Sequence, residues 1–227
     1  MQSIQIVDEE TMLFDLEHII SRFEGSLPSR VDAAAMTWKS KVPFKMLSLK
    51  ELLFHRITLL ARTSLDLYVQ GTWVPAYIVM RSTVETAALF FEFCNKVSLF
   101  LQDADEKKID IFLMKCITGG KDEKSKLPPI HVLDCIRSID KEYDGFLRMY
   151  EVLCEYTHPN FLGTLASFGK VDHANIWLDL GAEIKKPPPP FGLAPFLMAV
   201  TIFEDHYNSI AEKFIEVNDY FEVKEKG

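Results

Sequence analysis

Apolar residues recur every three or four positions along most of this chain, the pattern of helices that each bury one face. From about Asp8 to Phe23, Met12, Leu13, Leu16, Ile19, Ile20 and Phe23 fall on one side of a helical wheel. Gly25 to Pro43 is less regular and predicts a short helix around Asp32 to Trp38. Ser48-Leu49-Lys50-Glu51 has the form of a capping box, in which the Ser hydroxyl and the Glu carboxylate satisfy free backbone N–H groups. It predicts a helix that runs to about Gln70 and ends at Gly71. Pro75 fits the first turn of the next helix, where a missing N–H costs nothing, and that helix is expected to reach about Asn95. Further helices are predicted near Gln102 to Ile117, closed by Gly119-Gly120, and from Pro128-Pro129 to about Ile139. Another is predicted from Asp144 to Thr157, stopped by Pro159, and the last from about Leu193 to Tyr220. Leu165 to Lys170 and Ile176 to Leu180 break the helical period around Asp172-His173-Ala174-Asn175, which predicts a small β-hairpin. Lys185-Lys186 and Pro187 to Pro190 read as a stiff extended spacer. The expected fold is all-α, an up-down helical bundle with a small β-hairpin before the last helix. It forms a single helical domain over residues 1–227, with 1–45 as an N-terminal helical extension and 48–220 as the bundle core.

Composition refines this picture. A chain of 227 residues can bury a sizeable core, and seventeen Phe against ten Gly predict a thick aromatic one. The net charge of −8 argues against broad, non-specific binding to phosphate backbones. The charge is uneven, however. Arg30, Lys39, Lys41, Lys45, Lys50, Arg56 and Arg62 face only Asp32 and Glu51 in their stretch, a basic strip able to meet an anion or to serve as a solvated face. Cys94, Cys116, Cys135 and Cys154 are widely spaced, without a C-x-x-C pair, and lie in helical patterns as small core residues. Met1-Gln2-Ser3-Ile4 lacks the basic start and apolar run of a signal peptide, and no apolar run approaches the ~20 residues that span a bilayer. A cytoplasmic protein with reduced thiols and no membrane partner is expected.

One polar pair interrupts the apolar run Tyr77-Ile78-Val79-Met80-Arg81-Ser82-Thr83-Val84-Glu85. On the wheel, Val79, Met80, Val84, Ala87, Phe90, Phe91 and Cys94 share one face, and Arg81, Glu85, Glu92 and Lys96 fall opposite. Arg81 and Glu85 are four apart and can pair. That pair is either a solvated contact of ~0.3–0.5 kcal/mol or part of a cleft. On the helix ending at Thr157, Phe146, Tyr150, Leu153 and Thr157 lie on one side, and Arg148, Glu151, Glu155 and His158 on the other. His158 at the helix end is a charge complement to the helix dipole or a group for acid/base chemistry near neutrality. Glu155 to His158 also has the E-x-x-H spacing of di-iron bundles. Those sites require a second such motif, which is absent, so no metal and no cofactor are expected. His18, His55, His131, His173 and His206 show no ligand spacing and read as structural.

Met80-Arg81-Ser82-Thr83-Val84-Glu85, together with Tyr150-x-x-Leu153-x-x-Tyr156-x-His158-Pro159-Asn160 and Gly163, resembles a group of uncharacterised bacterial helical proteins related to the HEPN-like superfamily. The resemblance covers about Ser48 to Gly163 plus the closing helix. It implies a helical bundle, often dimeric, that binds or cuts RNA or a nucleotide without a metal in bacterial defence or stress response, with an antitoxin-like protein as partner. Other members are inactive binding modules. Active members carry Arg and His four to six residues apart. Here Arg148 stands ten residues before His158, so Arg81 would supply the cation from another helix. The resemblance assigns Arg81 to phosphate, Glu85 to orienting Arg81, and His158 to acid/base work. Asn160 and Tyr156 would contact substrate. Two readings stay open: a possible endoribonuclease, or a non-catalytic binding or scaffold protein in which the Arg/Glu/His set is a structural network.

Overall fold

A computed structural model describes residues 8–122, 125–181 and 192–223. Eight α-helices among them build an all-α up-down bundle, with one two-stranded hairpin before the last helix. The expected proline spacer, Pro187 to Pro190, lies outside the described residues.

Helix α1 (Glu9–Ser26) starts where Asp8 accepts the backbone N–H of Thr11 at 2.8 Å. It buries Met12, Leu16, Ile19, Ile20 and Phe23 against α2 (Val42–Val69) and α8 (Leu193–Val223), while Leu13 is half-buried. Where a helix from Asp32 to Trp38 was expected there is a single 3₁₀ turn, Ala33–Ala35. That stretch has no apolar face to bury: Trp38 is 90% exposed, and the segment is pinned by the Thr37 N–H on Asn218 Oδ1 at 2.9 Å.

Helix α2 begins six residues before the expected capping box. Val42, Pro43 and Met46 carry the buried face further toward the N-terminus, and Pro43 fits the first turn. Ser48 and Glu51 therefore lie inside the helix, and Glu51 is spent elsewhere, on Lys50 (2.7 Å) and the Tyr207 hydroxyl (2.8 Å). The predicted stop is observed: Gly71 takes a left-handed conformation (φ +79°), and the Thr72 N–H reaches back to the Leu67 carbonyl.

Helix α3 (Trp73–Asp103) has Pro75 in its first turn and runs eight residues beyond the expected end, because Val97 and Phe100 keep burying apolar surface. It is the central element, in contact with α2, α4 (Glu106–Thr118), α5 (Val132–Asp140), α6 (Phe146–Thr157) and α8. Rings of Phe23, Phe54, Phe90, Phe203 and Tyr207 meet edge-on, tilted or stacked at its heart, with centroids 4.3–6.2 Å apart. Each such side chain contributes ~1.5–3 kcal/mol by leaving water. Helix α4 ends at Gly119 as predicted. Helix α5 starts after the two prolines and Ile130, with His131 as its cap.

The hairpin is shorter than expected. Leu165–Phe168 forms a four-residue helix, α7, because the Phe168 N–H bonds back to the Thr164 carbonyl at 2.8 Å. Strands β1 (Gly169–Asp172) and β2 (Trp177–Leu180) then pair antiparallel, Gly169 opposite Leu180 and Asp172 opposite Trp177. Asp172 accepts the N–H groups of Ala174 and Asn175 to close the turn. No described helix is long and apolar enough to cross a membrane.

Candidate functional site

The polar stripe of α3 does not face bulk water. Arg81, Glu85, Glu92 and Lys96 are all half-buried, because α5 and α6 pack over them. Glu92 accepts the Ser138 hydroxyl of α5 at 2.7 Å and Lys96 at 2.9 Å. One turn earlier, Tyr150 of α6 closes a three-membered network. Its hydroxyl accepts Arg81 Nε (3.2 Å) and Nη2 (3.0 Å) and donates to Glu85 Oε1 (2.8 Å), while Arg81 Nη2 lies 3.1 Å from the same carboxylate oxygen. Burial works against the charged guanidinium, but the Tyr150 hydroxyl and the Glu85 carboxylate outweigh it and hold the Arg81 pKa above its ordinary value. Burial pushes the Tyr150 phenol well above its usual range, and Glu85 adds to the effect. Tyr150 is therefore a neutral hydroxyl at physiological pH. Arg81 Nη1 has no partner among the described residues.

Arg81 opens onto a groove of about 400 Å³ between α3, the start of α5 and α6. Lys121, His131, Tyr150, Cys154 and His158 line it with Arg81, and no carboxylate does among the described residues. His131, Val132 and Leu133 at the start of α5 also border it, and this helix start has no side-chain cap. His131 is exposed, with Nδ1 3.8 Å from Asp134 Oδ2. His158 is exposed, and its ring has no hydrogen bond among the described residues.

Of the residues singled out in the sequence, Arg81 and His158 thus share one groove, and Glu85 sits behind Arg81 as its anchor. The other two lie elsewhere. Tyr156 is buried with its ring edge-on to Tyr77, centroids 4.9 Å apart. Asn160 organises the turn after α6: it donates to Glu155 at 2.6 Å and accepts the Gly163 N–H at 3.1 Å. That bond takes Glu155 of the E-x-x-H spacing away from His158. Among the described residues, no three His, Cys, Asp or Glu side chains stand together as a metal-ligand set. The basic strip is largely consumed in ion pairs and helix ends. Arg62 is gripped by Glu17 and Glu24, Lys45 holds Asp110, Lys50 holds Glu51, and Lys39 reaches the Glu222 carbonyl. None of the strip lines the Arg81 groove.

No family model, curated protein or solved structure matches this chain.

Sequence reasoning missed Tyr150 as the clamp and Lys121 and His131 as lining. It also placed His158 on the side of α6 opposite Tyr150. His158 still donates its N–H to the Cys154 carbonyl, so its side chain keeps the helical spacing, falls at the border between the two faces of the wheel, and lines the groove with Tyr150 and Cys154. The spacing Tyr150, Cys154, His158 at successive fours was the available signal. Cys154 is not a poised nucleophile, since burial raises its thiol pKa.

Proposed function

We propose that this chain is a HEPN-like, cytoplasmic helical protein that binds a phosphate group of RNA or of a nucleotide in the Arg81 groove. One observation supports the reading above the others. A chain of net charge −8 lines this groove with Arg81, Lys121, His131 and His158 and with no acidic side chain among the described residues. Tyr150 and Glu85 hold Nε and Nη2 of the guanidinium and leave Nη1 for a phosphate oxygen. The start of α5, which has no side-chain cap and borders the groove, carries the N-terminal end of a helix dipole that favours an anion. In the catalytic form of this reading, His158 takes the proton of a ribose 2′-OH as it attacks phosphorus. His131 returns a proton to the leaving 5′-oxygen, and Arg81 bears on the phosphate charge. Asn160 acts by holding the turn that carries His158.

A second reading rests on the closed Arg81–Tyr150–Glu85 network itself: a non-catalytic scaffold in which these bonds fix α6 on α3. The test is RNA cleavage and nucleotide titration in EDTA, wild type beside Arg81→Ala and His158→Ala, with folding checked by circular dichroism. Loss of a charge-assisted contact at Arg81 should weaken binding by about tenfold or more. Cleavage that disappears in both folded variants supports the nuclease. Binding lost in Arg81→Ala without any cleavage supports a binding module. A wild type that neither binds nor cuts moves the assignment to the scaffold.

A further inference from the structure

A second cavity, between α3 and α4, has a different character. Phe100, Ile109 and Phe112 form its buried floor, Leu99 and Ile111 stand about 40% exposed at its mouth, and it encloses about 300 Å³. That is the small end of the ~300–1,000 Å³ typical of small-molecule sites. The cavity runs into a wider polar basin toward α5, and Lys96 and Lys115 border both. Lys96 and Lys115 thus stand where the apolar cleft meets the polar basin, and Asp103, Asp105 and Lys108 border the cleft at its other end.

Lys96 is held by Glu92 at 2.9 Å, whereas Lys115 has no ion-pair or hydrogen-bond partner for its side chain among the described residues. Among the described residues, Lys45, Lys50, Arg62, Arg81, Lys96 and Lys213 are the other basic side chains that are not freely exposed, and each has a polar partner. Half-buried Lys115 has none. A lysine ammonium without a counter-charge at the edge of an apolar cleft is open to an arriving anion as its charge-assisted partner. At the far rim, Lys108 is already occupied by Asp103 (3.5 Å) and Asp105 (3.0 Å). The floor offers no hydrogen-bonding side chain, so a nucleobase would leave its polar edge unpaired there, whereas a hydrocarbon chain loses nothing.

We infer that the α3–α4 cleft binds a fatty acid, its tail on Phe100, Ile109 and Phe112 and its carboxylate on Lys115. The site is separate from the Arg81 groove and does not depend on the reading given for it.

The experiment is calorimetric titration of the full chain with sodium decanoate below its micelle-forming concentration. Decanol, butyrate and phosphatidylglycerol vesicles serve as comparison ligands. Saturable decanoate binding is expected, with decanol about tenfold weaker for want of the charge-assisted contact and butyrate weaker still for want of a tail. Lys115→Gln should lower decanoate affinity by a similar factor. Leu99→Asp, at a half-open position, should abolish binding by placing a negative charge at the mouth. If Leu99→Asp loses its helical circular dichroism, Lys115→Gln decides. Absence of saturable decanoate binding, equal binding by Lys115→Gln, or capture by vesicles without binding of free decanoate would each overturn the assignment.

Discussion

The hydroxyl of Tyr150 is the pivot of the α3–α6 contact, because it accepts twice from Arg81 and donates to Glu85. Tyr150→Phe removes that atom and leaves both charged partners short of a bond in a half-buried setting. A loss of ~1–3 kcal/mol in urea unfolding is expected. His158→Ala should instead fall within ~0.5 kcal/mol of wild type, since an exposed ring without hydrogen bonds has little to lose. The contrast separates a structural role from a functional one within a single groove; a large stability loss at His158 would tie it to the scaffold. Arg81 and Glu85 were legible in the sequence because a polar pair inside an apolar run needs a reason. Tyr150 was not, because its partners lie 65 and 69 residues away and nothing local marks a tyrosine as a clamp.

Helices were legible wherever an apolar face and a stop signal coincided, as at Gly71, Gly119 and Pro159. They were misplaced where a local signal competed with burial. Ser48-Leu49-Lys50-Glu51 has the form of a start, but Val42 and Met46 had core to reach, and the helix extended past it. Leu165 to Phe168 looked like strand and became a helical turn by bonding back to Leu162 and Thr164. Arg62 of α2 ties that helix to α1, taking Glu17 at 2.8 Å and Glu24 at 2.8 Å. Hydrogen bonds from Arg62 hold both carboxylates below their usual 4.5 in the folded chain. Their stabilisation is therefore complete above about pH 4.5 and is lost as the pH falls through the depressed values. In urea melts across that acid range, wild-type stability should drop more steeply than that of Arg62→Gln. Parallel curves would show that the pairs contribute nothing, as exposed ion pairs sometimes do.

For the molecule as a whole, the all-α bundle followed from the helical period, but the central place of α3 did not. Its sequence looked amphipathic because Arg81, Glu85, Glu92 and Lys96 shared a side; that side is covered by α5 and α6, whose polar groups Ser138 and Tyr150 supply the bonds that water would otherwise make. Concealing a polar stripe within the bundle leaves its charge to reach solvent at two openings, the groove at Arg81 and the basin bordered by Lys96. The thiols distributed through the same helices have a practical consequence. Burial lifts Cys94, Cys116 and Cys135 to about 12 and raises Cys154 as well, so almost no thiolate exists at neutral pH. Toward an alkylating reagent the native chain should react slowly, and modification of buried Cys94 or Cys135 should record a moment when its helix opens. Mass spectra taken over time would then serve as two clocks, Cys94 timing the α3 core and Cys135 timing α5, with half-buried Cys116 and Cys154 expected to react first. Fast, uniform labelling of all four at neutral pH would show a bundle looser than this packing allows.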